Sequence, residues 1–163
     1  MNFSSIKEYF YRLQSRCYAF VLLPVLLLIA LYAMQRFTSL HFTTLNDDLI
    51  FSVQIALPAM ALLELTSVHL AAFLKLKKIR KLKGMGERLD AYAILVTMKM
   101  IAGDVASVMM LAGLVLTGEE LFIGFFMLCL AFILFQRPTP ARLSRQLQLR
   151  GDEKELILKG ELV

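Results

Sequence analysis

The residues that build metal, redox and haem sites are scarce in this sequence, which has two cysteines, two histidines and no tryptophan. Cys17 and Cys129 are too few for a disulfide framework, and they form no C-x-x-C motif. A bis-histidine haem needs two histidines at one level, whereas His41 and His69 fall toward opposite ends of one apolar segment. We therefore expect neither a cofactor nor a metal site within one chain.

Motifs that mark catalysis, conduction or nucleic-acid binding are also missing. The sequence has no P-loop, HExxH, GxSxG or potassium-channel filter. It has no zinc finger, no soluble helix-turn-helix and no basic strands with interleaved aromatic residues, so its net charge of +5 does not indicate nucleic acid. We expect no nucleic-acid partner and no catalytic residues. Because no linker-like tract or internal repeat occurs, one membrane domain with a short tail is expected.

Long apolar segments, in contrast, dominate the sequence. Hydrophobic residues make up 58% of the 163 residues, and the mean hydropathy is +0.66, whereas soluble domains are about 45–50% apolar. Because about 20 apolar residues cross a bilayer as a helix, the sequence predicts an all-α integral membrane protein with four transmembrane helices. The predicted spans are residues 17–34, 49–74, 91–116 and 119–136.

Shorter helices are predicted at both ends of this transmembrane domain, which we place at residues 1–136. Residues 1–16 repeat apolar side chains at three- and four-residue spacing, which is typical of a short amphipathic helix on a membrane surface. The tail, residues 137–163, contains Thr139 followed by Pro140, an N-cap and a first-turn proline that predict a helix start. We expect the tail to be helical and cytoplasmic.

The positions of lysine and arginine predict the orientation. Sixteen of them lie in the N-terminal segment, in the connection at residues 75–90 and in the tail, whereas the two opposite loops hold only Arg36. By the positive-inside rule, both termini are cytoplasmic, and we expect a bacterial-type inner membrane. Anionic lipid headgroups are the expected partners of the basic side chains Lys75, Lys77, Lys78, Arg80, Lys81 and Lys83.

Polar side chains interrupt the two central apolar segments, where an unpaired charge costs about a few kcal/mol. The predicted intramembrane cluster comprises Gln54, Glu64, His69, Lys99 and Asp104. A rise of about 1.5 Å per residue from the basic ends of the predicted spans places Glu64 about 15 Å deep and Lys99 about 12 Å deep. We therefore predict an ion pair or a charge-assisted hydrogen bond between Glu64 and Lys99.

The third apolar segment also carries small residues, which let a neighbouring helix backbone approach closely. They predict a helix-packing face formed by Ala102, Gly103, Ala106 and Gly113. Asp104 projects about 140° away from Lys99 on the helical wheel. This direction leads to a different helix, to a second subunit or to water.

Two classes of function stay open at this point. The first is a non-catalytic accessory or assembly subunit, associating with a second copy or with another membrane protein. In that case Glu64 and Lys99 only fix helix register, and Asp104 is protonated or accepts a hydroxyl hydrogen bond. The second class is a small proton- or cation-coupled transporter or channel that uses Glu64 and Asp104 as carriers. An intramembrane enzyme ranks third, because no nucleophile–base pair or metal triad occurs.

Overall fold

The computed structural model describes residues 6–37 and 46–159, and within these ranges the chain is helical and contains no strand. Phe3 and His41 lie outside the described residues, as does the end of the tail beyond residue 159. The helices are α1 (Ile6–Phe37), α2 (Asp47–Ile79), α3 (Met85–Thr117), α4 (Leu121–Phe135), α5 (Pro140–Leu147) and α6 (Asp152–Lys159). The predicted all-α class is confirmed for this part of the chain.

Three helices are long and apolar enough to cross a membrane by themselves, namely the Ile6–Met34 part of α1, α2 and α3. At 15 residues, α4 is about 22 Å long and falls short of the hydrocarbon core, which is about 30 Å thick. The pair of α4 and α5, bent by 76°, meets the same length and hydropathy test when it is counted as one broken span. The chain is therefore of the integral membrane type, with three spans or up to four.

The helices differ from the predicted spans at their basic ends. The predicted N-terminal amphipathic helix and first span form one continuous helix, α1, because no glycine or proline separates them at Arg16 and Cys17. Likewise, α2 continues past Leu74, since Leu76 and Ile79 remain buried against the core. Because α3 already begins at Met85, the predicted 16-residue basic connection shrinks to the turn at residues 80–84.

α3 is the central helix of the bundle. Fifteen of its residues are buried, compared with four in α2, and it packs against α1, α2 and α4. Gly118 ends α3 in the left-handed conformation (φ 70°), and its N–H donates to the carbonyl of Leu114 at 2.8 Å. Glycine adopts this conformation without steric cost, so the chain can turn directly into α4.

α5 begins as the sequence predicts. The Thr139 hydroxyl accepts the backbone N–H of Arg142 at 3.2 Å, and Pro140 occupies the first turn. Gln146 then fixes α5 to the rest of the bundle: its side-chain oxygen accepts the Tyr92 hydroxyl at 2.9 Å, and its carbonyl accepts Arg80 Nε at 2.7 Å. The predicted N-cap is thus confirmed, and the tail folds back onto α3 and the turn.

The start of α1 lies at the same end of the bundle, because the Tyr9 hydroxyl donates to the carbonyl of Leu89 at 2.8 Å. Arg88 connects α6 to this end through an ion pair with Glu153 at 3.1 Å. We call this the basic end of the bundle, formed by the start of α1, the turn at residues 80–84, and helices α5 and α6. The three lysine- and arginine-rich segments therefore lie together in space.

Candidate functional site

The predicted Glu64–Lys99 ion pair does not form in the structure. In the α2–α3 hairpin, Ile79 lines the same small cavity as Ala91 and Ile94, so the first turns of α3 extend beyond the end of α2. Lys99 consequently faces α2 near His69. Glu64 is five residues further along α2 than His69, so it lies about 7.5 Å deeper than the level of Lys99. The predicted pair was wrong because both depths were counted from a common level, whereas the first turns of α3 extend beyond the end of α2 and bring Lys99 level with His69.

Glu64 therefore stands apart from the other ionisable groups. It lies near the middle of α2, about 22 Å from Ile79, and is partly exposed. Among the described residues its carboxylate has no ion-pair or side-chain hydrogen-bond partner. Ser67 and Ala71 are exposed on the same side of the helix, and the Ser67 hydroxyl donates to the Glu64 backbone carbonyl at 2.8 Å. This side of α2 thus combines a carboxylate with small residues.

Asp104 is buried in α3, with 9% of its surface exposed, and its Oδ1 has no hydrogen-bond partner within the described part of the chain. Two hydroxyls lie on the same side of α3 as Asp104, but both donate to backbone carbonyls: Ser107 to the Gly103 carbonyl at 2.9 Å, and Thr97 to the Ala93 carbonyl at 2.9 Å. Within the described residues, the predicted hydrogen bond from a hydroxyl to Asp104 Oδ1 is therefore not formed.

The small-residue face of α3 is covered by α4 of the same chain. Ala102, Gly103, Ala106 and Gly113 are all buried. A Cβ atom on Gly103 would lie 2.9 Å from Ile133 Cδ1, and one on Gly113 would lie 2.8 Å from Phe122 Cζ, with other atoms of both side chains closer still. This face is therefore occupied within one chain and is not available to a second subunit.

The remaining predicted residues are spread over α2 and its end. Gln54 is partly buried but ten residues from Glu64, about 15 Å along the helix, so it joins no cluster with it. Of the predicted lipid-contacting residues, Arg80 bonds to Gln146, Lys77 lies over the Phe73 ring at 4.9 Å, and Lys75 Nζ lies 3.4 Å from Met98 Sδ. Lys78, Lys81 and Lys83 are exposed at the basic end.

A groove lies between α2 and α4, which we call the α2–α4 groove, and it was not predicted from the sequence. It runs along residues 58–73 of α2 and 125–132 of α4, with Met110 of α3 at its floor, and has a volume of about 800 Å³. Its lining is apolar except for Thr66, His69 and Cys129. No signal in the sequence indicates it, because it depends on how far apart α2 and α4 pack on α3.

A second cavity, which we call the polar pocket, adjoins this groove. His69 and Phe73 line both, and the pocket has a volume of about 110 Å³. Its polar side chains come from α2, α3, α5 and the end of α4, and they are His69, Tyr92, Lys99, Gln136, Arg142 and Gln146. Lys99 thus has a defined environment in the structure, although not the predicted one.

In the described residues, no group of three or more histidine, cysteine, aspartate or glutamate side chains is placed to hold a metal ion. Cys17 and Cys129 are buried free thiols on different helices. Comparison of the chain with protein-family models, curated proteins and solved structures gives no match. Any function proposed for this chain therefore depends on the geometry of its own residues.

Proposed function

We propose that this chain is a non-catalytic multi-pass membrane protein of the inner-membrane type, with four spans and both termini in the cytoplasm. The clustering of its basic segments at one end of the bundle supports this orientation, because lysine- and arginine-rich segments are retained on the cytoplasmic side. In this topology α4, extended by the residues that lead into α5, is the fourth span. The protein acts as an assembly subunit that associates with a second copy of itself.

The unpartnered carboxylate of Glu64 carries this proposal. A carboxylate at membrane depth costs about a few kcal/mol unless it is paired, neutralised or hydrated. Glu64 is partly exposed in the middle of α2 and has no partner among the described residues of its own chain. A second carboxyl group supplies a suitable partner, because two carboxyls that share one proton form a strong hydrogen bond at the cost of a single charge.

The surroundings of Glu64 fit a two-fold contact between parallel α2 helices. A two-fold axis along the membrane normal brings each residue of α2 close to its own copy. Ser67 and Ala71 follow Glu64 on the same side and are exposed, and small residues allow helix backbones to approach. Because α4 covers the small-residue face of α3, the contact between copies is on the Glu64 side of α2.

Cysteine cross-linking tests the contact. The native cysteines are first removed by Cys17→Ser and Cys129→Ala. In this background, Ala71→Cys in native membranes is expected to form a disulfide-linked dimer on mild oxidation. Leu26→Cys, an exposed position on α1, is the matched control and is expected to stay monomeric. Equal cross-linking at both positions, or none at Ala71, would contradict the contact.

A pair of Glu64 variants tests the role of the carboxylate itself. Glu64→Gln retains hydrogen bonding across the axis and should preserve the dimer, whereas Glu64→Leu removes the bond. Because interhelical polar contacts in membranes contribute about 1–2 kcal/mol, we expect a roughly tenfold weaker dimer for Glu64→Leu. The measurement is the monomer–dimer equilibrium in lipid nanodiscs or micelles, and identical equilibria for wild type and Glu64→Leu would remove Glu64 from the interface.

A proton- or cation-coupled transporter is the second candidate, and it now rests on Asp104. The unbonded Oδ1 of this buried side chain is the observation that favours it, since ionisable groups inside membrane helices often mark proton or ion pathways. Glu64 and Asp104 lie on different helices and do not contact each other through any hydrogen bond.

A further inference from the structure

We propose that the α2–α4 groove and the polar pocket together bind one anionic phospholipid with a hydroxyl-bearing headgroup. An acyl chain occupies the groove, and the phosphate lies between Lys99 and Arg142. This inference is independent of the proposed dimer, because the groove lies on the flank of α2 opposite to Glu64.

The shape of the groove suits a lipid chain. Its lining residues on α2 extend from Pro58 to Phe73, about 22 Å along the helix. This length exceeds the thickness of one leaflet, which is about 15 Å if the hydrocarbon core is about 30 Å thick. The volume of about 800 Å³ lies within the range of ligand sites, about 300–1,000 Å³. The groove opens toward the side of the bundle, where acyl chains surround the protein.

The charge of the polar pocket selects an anion. Lys99 and Arg142 both line the pocket, so two cationic side chains border the same small cavity. None of the residues that line the pocket or the groove, all within the described ranges, is acidic. Two neighbouring cations in a partly buried site without a carboxylate form a complementary site for a phosphate, which accepts charge-assisted hydrogen bonds from both.

The hydrogen-bonding groups around these cations also point to a ligand. Gln136 Oε1 is buried and accepts no hydrogen bond from the described residues, although the Gln136 side chain lines the pocket. A buried acceptor without a donor costs about 1–3 kcal/mol. A headgroup hydroxyl, such as that of phosphatidylglycerol, supplies this donor, whereas phosphatidylcholine has none. Arg142 is held beside the pocket by its bond from Nη1 to the Phe135 carbonyl.

Lipid titration of the full chain in detergent tests this site. Phosphatidylglycerol and phosphatidylcholine with identical acyl chains are added, and bound lipid is counted by native mass spectrometry. We expect one tight phosphatidylglycerol per chain and at least tenfold weaker phosphatidylcholine. Lys99→Met should weaken phosphatidylglycerol binding about tenfold, because one charge-assisted bond is lost. Lys78→Met, the same change at an exposed position of α2, should have little effect.

A second variant tests the groove without changing charge. Thr66 is exposed and lines the groove, so Thr66→Phe should fill the space of the acyl chain and weaken binding while Lys99 and Arg142 remain. Three results would overturn the proposal: equal binding of both lipids, unchanged phosphatidylglycerol binding in Lys99→Met, or equal losses in Lys99→Met and Lys78→Met. Inorganic phosphate that competes as well as the lipid would show that the groove contributes nothing.

Discussion

Gly113→Ala is expected to lower the free energy of unfolding by about 1–3 kcal/mol, the usual cost of overpacking a well-packed core. The added methyl group would overlap the ring of Phe122, whose side chain is fully buried. Because Phe122 is fully buried, its ring can make room only by displacing other buried side chains. The measurement is unfolding of the detergent-solubilised chain in a denaturing micelle titration, followed by circular dichroism.

Gly124→Ala is the matched control for this prediction. Gly124 is exposed on α4, and a Cβ atom built there meets nothing within 4 Å. Alanine favours the helix over glycine, so this variant should gain up to about 1 kcal/mol. In addition, Phe122→Leu should restore part of the stability lost in Gly113→Ala, since it makes room for the methyl group. Equal stabilities of Gly113→Ala and wild type would show that α4 does not pack against Gly113.

Asp104→Val is expected to change stability in the opposite direction, raising the free energy of unfolding by about 1–3 kcal/mol. The reason is that Asp104 is buried while its Oδ1 forms no hydrogen bond, and an unsatisfied buried polar group carries a cost of this size. Valine removes the polar atoms and suits the apolar surroundings of α3. The same micelle titration measures the gain.

Asp47→Val is the control for the aspartate change. Asp47 is exposed in the first turn of α2, where a negative charge interacts favourably with the helix dipole. Its loss should reduce stability by about 0.3–1 kcal/mol. Destabilisation by Asp104→Val would instead mean that the carboxyl has a partner such as water.

A flux measurement then separates the two candidate functions. Wild type and Asp104→Asn are reconstituted in proteoliposomes under a pH gradient. Proton flux that is lost in Asp104→Asn would favour the transporter, and flux no greater than in empty liposomes would favour the assembly subunit.

The long apolar segments and the start of α5 were predictable from the sequence, because both depend on local features. Segment hydropathy locates membrane helices without knowledge of their neighbours. The cap formed by Thr139 and Pro140 is complete within four residues. Such features need no tertiary information, and the structure contains the Thr139 cap and three helices that are long and apolar enough to cross a membrane, or up to four if α4 and α5 form one span.

The relation between Glu64 and Lys99 was not predictable in the same way. It depends on where α2 ends and on the register in which α3 packs against it. The lysines after Leu74 suggested that α2 ends there, but buried Leu76 and Ile79 belong to the same helix, which ends five residues later. The α2–α4 groove and the polar pocket also depend on tertiary spacing, since Lys99 and Arg142 are 43 positions apart in the sequence. Composition and periodicity carry no information about such distances.

The central position of α3 has a consequence for how the protein is made. A ribosome delivers α1, α2 and α3 in that order, so the surface around Gly103 and Gly113 stays uncovered until α4 has been synthesised. The tail, which bonds Tyr92 and Arg80 through Gln146, arrives last. Chains truncated before Leu121 would therefore leave this surface of α3 uncovered, with no α4 to fill the space beside Gly103 and Gly113.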